Sequence, residues 1–116
     1  MKRILLTLLI MCFATTAYAG QSASAITSGE QTSDAIIFTG GARLTAVHIV
    51  TDGTNDAKLI IHDNTAKSGK VVCEITVSGG SHYGGRVYFP PIEMDIGISA
   101  DIAGTGASYF IEYARN

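Results

Sequence analysis

Apolar and polar residues alternate most clearly between Ile92 and Ile102. Ile92, Met94, Ile96, Ile98, Ala100 and Ile102 fall on one parity, and Glu93, Asp95, Gly97, Ser99 and Asp101 on the other. A period of two sends the sets to opposite faces of a sheet, so the aliphatic row belongs in a core and the acidic row faces water or a basic partner. Gly97 marks a bulge or bend in what is otherwise one long strand. Val71, Cys73, Ile75 and Val77 alternate with Lys70, Glu74 and Thr76, and Tyr109, Ile111 and Tyr113 with Ser108, Phe110 and Glu112. Between Leu44 and Val50 both parities carry apolar groups, with Leu44, Ala46 and Val50 beside His48 and Val47 with Ile49 on the other side. That strand either sits centrally in its sheet or buries its second face against another subunit.

Strands are expected at Ala35 to Thr39, Leu44 to Thr51, Lys58 to His62, Lys70 to Val77, Arg86 to Phe89, Ile92 to Ile102 and Ser108 to Tyr113. The intervening Gly40-Gly41, Asp52 to Asp56, Asp63 to Gly69, Ser78 to Gly85, Pro90-Pro91 and Gly104 to Gly106 are turn chemistry. No stretch of this part has helical period. Short strands at close spacing predict an all-β chain, a single small antiparallel β-sandwich with a jelly-roll arrangement among its options.

The first nineteen residues form a different zone. Lys2 and Arg3 precede an apolar run from Ile4 to Ala14, and Ala17-Tyr18-Ala19 has the small-x-small form of a cleavage site. Residues 1–19 therefore read as a cleaved signal peptide, the apolar run being shorter than the roughly 20 residues that span a bilayer. Residues 20–33, rich in Ser, Ala, Thr and Gly, read as a flexible arm, and 34–116 as the sandwich domain. The expected location is outside the cytoplasm: periplasmic, extracellular or on the cell surface, with no membrane contact after cleavage.

Charge and cysteine content narrow the chemistry. Without Lys2 and Arg3, six basic residues face ten acidic ones, which leaves no basic footprint for nucleic acid. Cys12 departs with the signal and Cys73 stays alone, so no internal disulfide is available. Its place in an alternating apolar set predicts burial, with an intermolecular bridge as the alternative.

No catalytic constellation emerges, so the chain reads as a non-enzyme without cofactor. Ser81-His82 sits in Gly79 to Gly85, which lacks nucleophile-elbow spacing and reads as a mobile surface loop. His48, His62 and His82 have no local metal-ligand spacing. Asp52, Asn55 and Asp56, with Asp63, offer oxygen ligands such as calcium takes, but the same residues favour tight turns and the terminal Glu of a twelve-residue calcium loop is missing. A glycan site is carried by loop aromatics: Tyr83, with His82 beside it, is the candidate. Tyr88, Phe89, Tyr109 and Tyr113 lie in expected strands, where packing is their ordinary role.

The stretch Leu44 to Ala57, containing Thr51-Asp52-Gly53-Thr54-Asn55-Asp56-Ala57, followed by Ile60-Ile61-His62-Asp63-Asn64 and Ser68-Gly69, resembles small β-sandwich proteins encoded among the structural genes of tailed bacteriophages and prophages. Val71-Val72-Cys73-Glu74-Ile75, Phe89-Pro90, Gly97-Ile98-Ser99-Ala100 and Gly104 to Ser108 complete the outline, which covers about Leu44 to Tyr113. The resemblance implies a non-enzymatic virion component, a decoration or tail-associated protein working through repeated subunit contacts, and supplies no catalytic or ligand residues. The expected function is thus a structural or interaction module that self-associates or decorates a larger protein assembly. It belongs in a virion if phage-encoded, and otherwise serves as an exported surface subunit. The alternative is a secreted glycan-binding or adhesin domain using the Tyr83 loop.

Overall fold

A computed structural model describes residues 25–116. The signal-peptide assignment and the first part of the expected arm lie outside the described residues. Eight strands follow one another: β1 (Ile26–Thr27), β2 (Ala35–Thr39), β3 (Ala42–Val50), β4 (Ala57–Asp63), β5 (Lys70–Val77), β6 (Tyr83–Met94), β7 (Gly97–Ala103) and β8 (Ser108–Arg115). They form two four-stranded antiparallel sheets, ordered β1-β8-β3-β6 and β2-β7-β4-β5. The pairs β1·β8, β2·β7, β3·β6 and β4·β5 are those of a long antiparallel hairpin rolled upon itself, the eight-stranded jelly roll. Among the described residues no helix is long and apolar enough to cross a membrane.

The core lies between the sheets. Leu44, Val47, Ile49, Tyr109 and Ile111 of the first sheet meet Leu59, Ile61, Ile98 and Ala100 of the second, all inaccessible to solvent. Apart from Leu44, each arrives there by period-two alternation along its strand, which buries one face of an antiparallel strand and wets the other. Cys73 is buried among them.

Four expectations change in detail. The row from Ile92 to Ile102 does not belong to one strand: Met94 ends β6 in the first sheet, and Ile98 and Ala100 lie on β7 in the second. The chain crosses between sheets at Asp95-Ile96, so Met94, Ile98 and Ala100 are buried while Ile96 is half exposed. Gly97 marks this crossing because a Cβ there would lie 2.6 Å from the Phe38 carbonyl oxygen. In β3, a register shift between Leu44 and Ala46 changes the parity. Leu44 therefore faces inward together with Val47 and Ile49, and the strand sits centrally, between β8 and β6. A shift opposite Ile61 and His62 similarly turns Val71 out to solvent.

The segment expected to be a flexible arm lies along β8 over its described part. Ile26 and Thr27 pair with Tyr113 and Glu112, Ser28 N–H donates to the Ile111 carbonyl, and Gln31 and Tyr109 exchange two backbone hydrogen bonds. Its polar composition concealed this because main-chain bonding, with Ile26 alone packed against the core, holds it in place.

Candidate functional site

Of Gly79 to Gly85, expected as a mobile loop, Gly79 to His82 form a tight turn and Tyr83 to Gly85 open β6. Ser81 N–H donates to the Ser78 carbonyl at 2.9 Å, Thr51 Oγ1 donates to the Ser81 carbonyl at 2.6 Å, and Thr51 N–H donates to the His82 carbonyl at 3.0 Å. The glycines serve proximity. A Cβ at Gly84 would stand 2.5 Å from Val77 Cγ2, across the sandwich, and one at Gly85 would stand 2.4 Å from Tyr83 Oη.

That second closeness belongs to a group of contacting aromatic side chains on the outer face of the first sheet. Val50 and Tyr83 are cross-strand partners, as are His48 and Gly85, and His48 and Phe110. Directly opposed residues share a face. Tyr83 leans over Gly85, which has no side chain to obstruct it, and its hydroxyl lies 2.5 Å from His48 Nδ1. The His48 ring in turn stacks on Phe110, with centroids 4.4 Å apart and planes 17° apart, while Tyr83 is 5.8 Å from His48 and tilted 34°. Three rings thus stand in succession across β6, β3 and β8, with the imidazole fixed on both sides. Glu112, two residues from Phe110, shares the outer parity.

Of the two residues nominated from sequence, Tyr83 belongs to this group and His82 does not. His82 lies against Gly53, where a Cβ would fall 2.4 Å from its Cε1. His48 and Phe110 were missed as its companions because only strand pairing brings residues so distant in sequence together. Ser81 is held through its backbone carbonyl, in the turn.

Asp52, Asn55 and Asp56 are occupied in shaping turns. Asp52 Oδ1 accepts from the backbone N–H groups of Thr54 and Asn55, both at 2.8 Å, and Oδ2 accepts from Asn55 Nδ2 at 2.7 Å. These donors, that of Asn55 foremost, lower the Asp52 pKa from its ordinary value. Asp56 Oδ1 accepts from Gly79 N–H at 2.7 Å. Asp63 is buried and accepts from the backbone N–H groups of Asp95, Ile96 and Gly97. His48 and His62 lie on different sheets, and the described residues hold no cluster of three His, Cys, Asp or Glu side chains suited to a metal ion.

Beyond Val87, β6 departs from β3. Pairing jumps from Ala46 with Val87 to Leu44 with Ile92, so Tyr88 to Pro91 project from the sheet. Tyr88 turns inward, where burial first and the Cys73 thiol second push its phenol pKa up to about 12. Phe89, expected to pack, is instead 98 % exposed, with Val87 at 77 % and Tyr83 at 56 %. A strand on the sheet edge has no neighbour to cover alternate side chains, and this the sequence pattern cannot report. On the second sheet a groove of about 320 Å³ runs beside β2, its rim formed by the Asp34–Lys67 ion pair.

No protein-family model, no curated protein sequence and no solved structure matches the chain. Its class is accordingly defined by the fold: a small all-β sandwich of two four-stranded sheets.

Proposed function

We propose that this chain is a non-enzymatic structural module that self-associates or decorates a larger assembly, as a phage virion decoration or tail-associated protein or as a phage-derived subunit exported to the cell surface. The observation that carries this reading is the β6 rim, where Tyr83, Val87 and Phe89 expose apolar surface along one sheet edge. Clustered apolar exposure of this kind marks interaction surfaces. Jelly rolls serve both capsid and lectin domains, so the fold by itself favours neither. Light scattering and negative-stain imaging of the mature protein test the reading: oligomers, rings or filaments are expected, and a monodisperse monomer at all concentrations overturns it.

The fixed imidazole supports a second reading, a glycan-binding domain. Tyr83 and Phe110 hold the His48 ring in one orientation, Nε2 bonds no side chain or backbone group among the described residues and can meet a sugar hydroxyl, and aromatic surface stands beside it to meet the apolar face of a pyranose. Saturable binding on a glycan array, lost in Tyr83→Ala, would favour this reading over the first.

A further inference from the structure

The outer face of β3 carries polar chemistry beyond its aromatic group. Ala42 and Leu44 point into the core, so Arg43 between them faces outward, on the same side as Ala46 and His48 beyond the bulge at Thr45. At about 3.3 Å per residue, Arg43 and His48 stand roughly 15 Å apart along the strand. Arg43 is half-buried, and its Nε is buried without a hydrogen-bond partner. Thr45 Oγ1, two residues on, is in the same condition.

The guanidinium also lacks a counter-charge. Ion pairs among the described residues join Lys58 to Glu74 and Lys67 to Asp34, and Arg43 enters neither. Glu93 is its cross-strand partner on β6, yet Glu93 Oε2 accepts from Asn116 Nδ2 at 3.3 Å instead. Buried polar groups left unpaired cost stability, and proteins keep them where another molecule supplies the partner. Water would complete the hydrogen bonds. An oxyanion would complete them and balance the charge as well.

We infer that Arg43 binds the carboxylate of an acidic sugar, in a glycan whose neighbouring neutral sugar lies on the His48 group. The inference rests on the glycan reading and names its ligand class. The Nε–H and Nη–H donors of an arginine form a fork that takes both oxygens of a carboxylate. Between the two ends, Ala46 carries only a methyl group, and Glu112, its cross-strand partner on β8, accepts from sugar hydroxyls. The same Glu112 repels an acidic group placed over Ala46 and so confines the ligand's charge to the Arg43 end. A glycan charged on every sugar is disfavoured by that arrangement. One with a neutral unit beside a carboxylated unit is selected.

An array that sets oligosaccharides of alternating carboxylated and neutral sugars beside their carboxyl-reduced forms tests this with the mature chain. Carboxylated members should be retained, and carboxyl reduction, Arg43→Gln and Tyr83→Ala should each weaken binding at least about tenfold. Arg43→Lys keeps the stem and the charge but loses the fork, so its affinity should fall between those of the parent and Arg43→Gln. Carboxyl reduction alters the ligand alone and decides the matter even where Arg43→Gln unfolds. Reduced and carboxylated forms bound alike, or binding indifferent to Arg43→Gln, overturn the inference and leave the glycan reading standing. Binding that needs Arg43 but survives Tyr83→Ala overturns the shared site. A chain that retains no glycan overturns this inference and the glycan reading together.

Discussion

Asp63 Oδ1 accepts a hydrogen bond from the backbone N–H of Ile96 at 2.9 Å, so a carboxylate on β4 of one sheet ties the turn by which the chain leaves the other. Asp95 and Gly97 N–H groups bond the same carboxylate at 3.0 and 3.3 Å. Burial acts to raise the Asp63 pKa, but the three donors outweigh it and the net shift is downward from 3.8. A depressed folded-state pKa means stability that is present above the unfolded value and lost as pH falls through the folded one. Asp63→Asn should therefore cost about 2 kcal/mol at neutral pH and less in acid, once the pH has fallen through the lowered folded-state pKa and the native carboxyl is itself protonated. Urea unfolding of parent and variant at neutral pH and along an acid series checks this; an equal cost throughout would show that the charge is immaterial.

Much of the sandwich is legible along the chain, and its boundaries show where legibility ends. Tyr109, Ile111 and Tyr113 alternate with wetted residues and are buried as their parity requires. At Thr45 and Val72 the chain slips a residue, and alternation read without that slip sends the following or preceding side chains to the wrong face. Phe89 reads as core because aromatic residues in strands usually are, yet coverage depends on a neighbouring strand that β6 lacks. The Tyr83, His48 and Phe110 group was legible only as Tyr83. Its other members come from β3 and β8, and register between distant strands leaves no local signal.

Gly84 separates two accounts of the glycine-rich stretch. If glycines there provided mobility, Gly84→Ala would be harmless or mildly stabilising. The Cβ would instead meet Val77 Cγ2 at 2.5 Å, with Ile49 and Ile75 Cγ2 atoms at 3.4 Å. Overpacking between the sheets should cost about 1–3 kcal/mol, seen as a lower urea midpoint with an unchanged slope.

Phe89 contributes little to the isolated fold. At 98 % exposure its side chain gives up almost no apolar burial when replaced, so Phe89→Ser should change stability by no more than about 0.5 kcal/mol. Binding of a hydrophobic dye, or self-association where the rim is the contact, should fall in the same variant. A large loss of stability would mean that Phe89 is covered in the folded chain.

Deleting residues 25–33 is expected to weaken the domain itself as well as any assembly. The segment supplies the Ser28 bond to Ile111, the paired bonds between Gln31 and Tyr109, and the Ser33 carbonyl that accepts from Tyr109 Oη at 2.9 Å. At about 1 kcal/mol net for each of these four bonds, the loss is about 4 kcal/mol, a large share of a small domain's stability. Thermal unfolding of the truncated chain checks it, and an unchanged midpoint would make these contacts dispensable.

The Tyr109 hydroxyl gives the same contact a pH signature. Its side chain is inaccessible to solvent, and burial, then the charge of Asp34, push the phenol pKa from 10.0 up to about 12. A neutral phenol donates to Ser33 and a phenolate cannot, so the folded state resists ionisation more than the unfolded chain does. Stability carried by this raised pKa is full below about pH 10 and is lost as pH rises toward the folded value. Tyr109→Phe removes the bond at neutral pH, a loss of about 1 kcal/mol, and also removes this group's share of the alkaline destabilisation. The urea midpoints of parent and variant should consequently converge between about pH 8 and pH 11. Tyr88, raised to about 12 as well, remains in both proteins and cancels from the comparison. Midpoints that stay parallel across that range would place the Tyr109 phenol in contact with water.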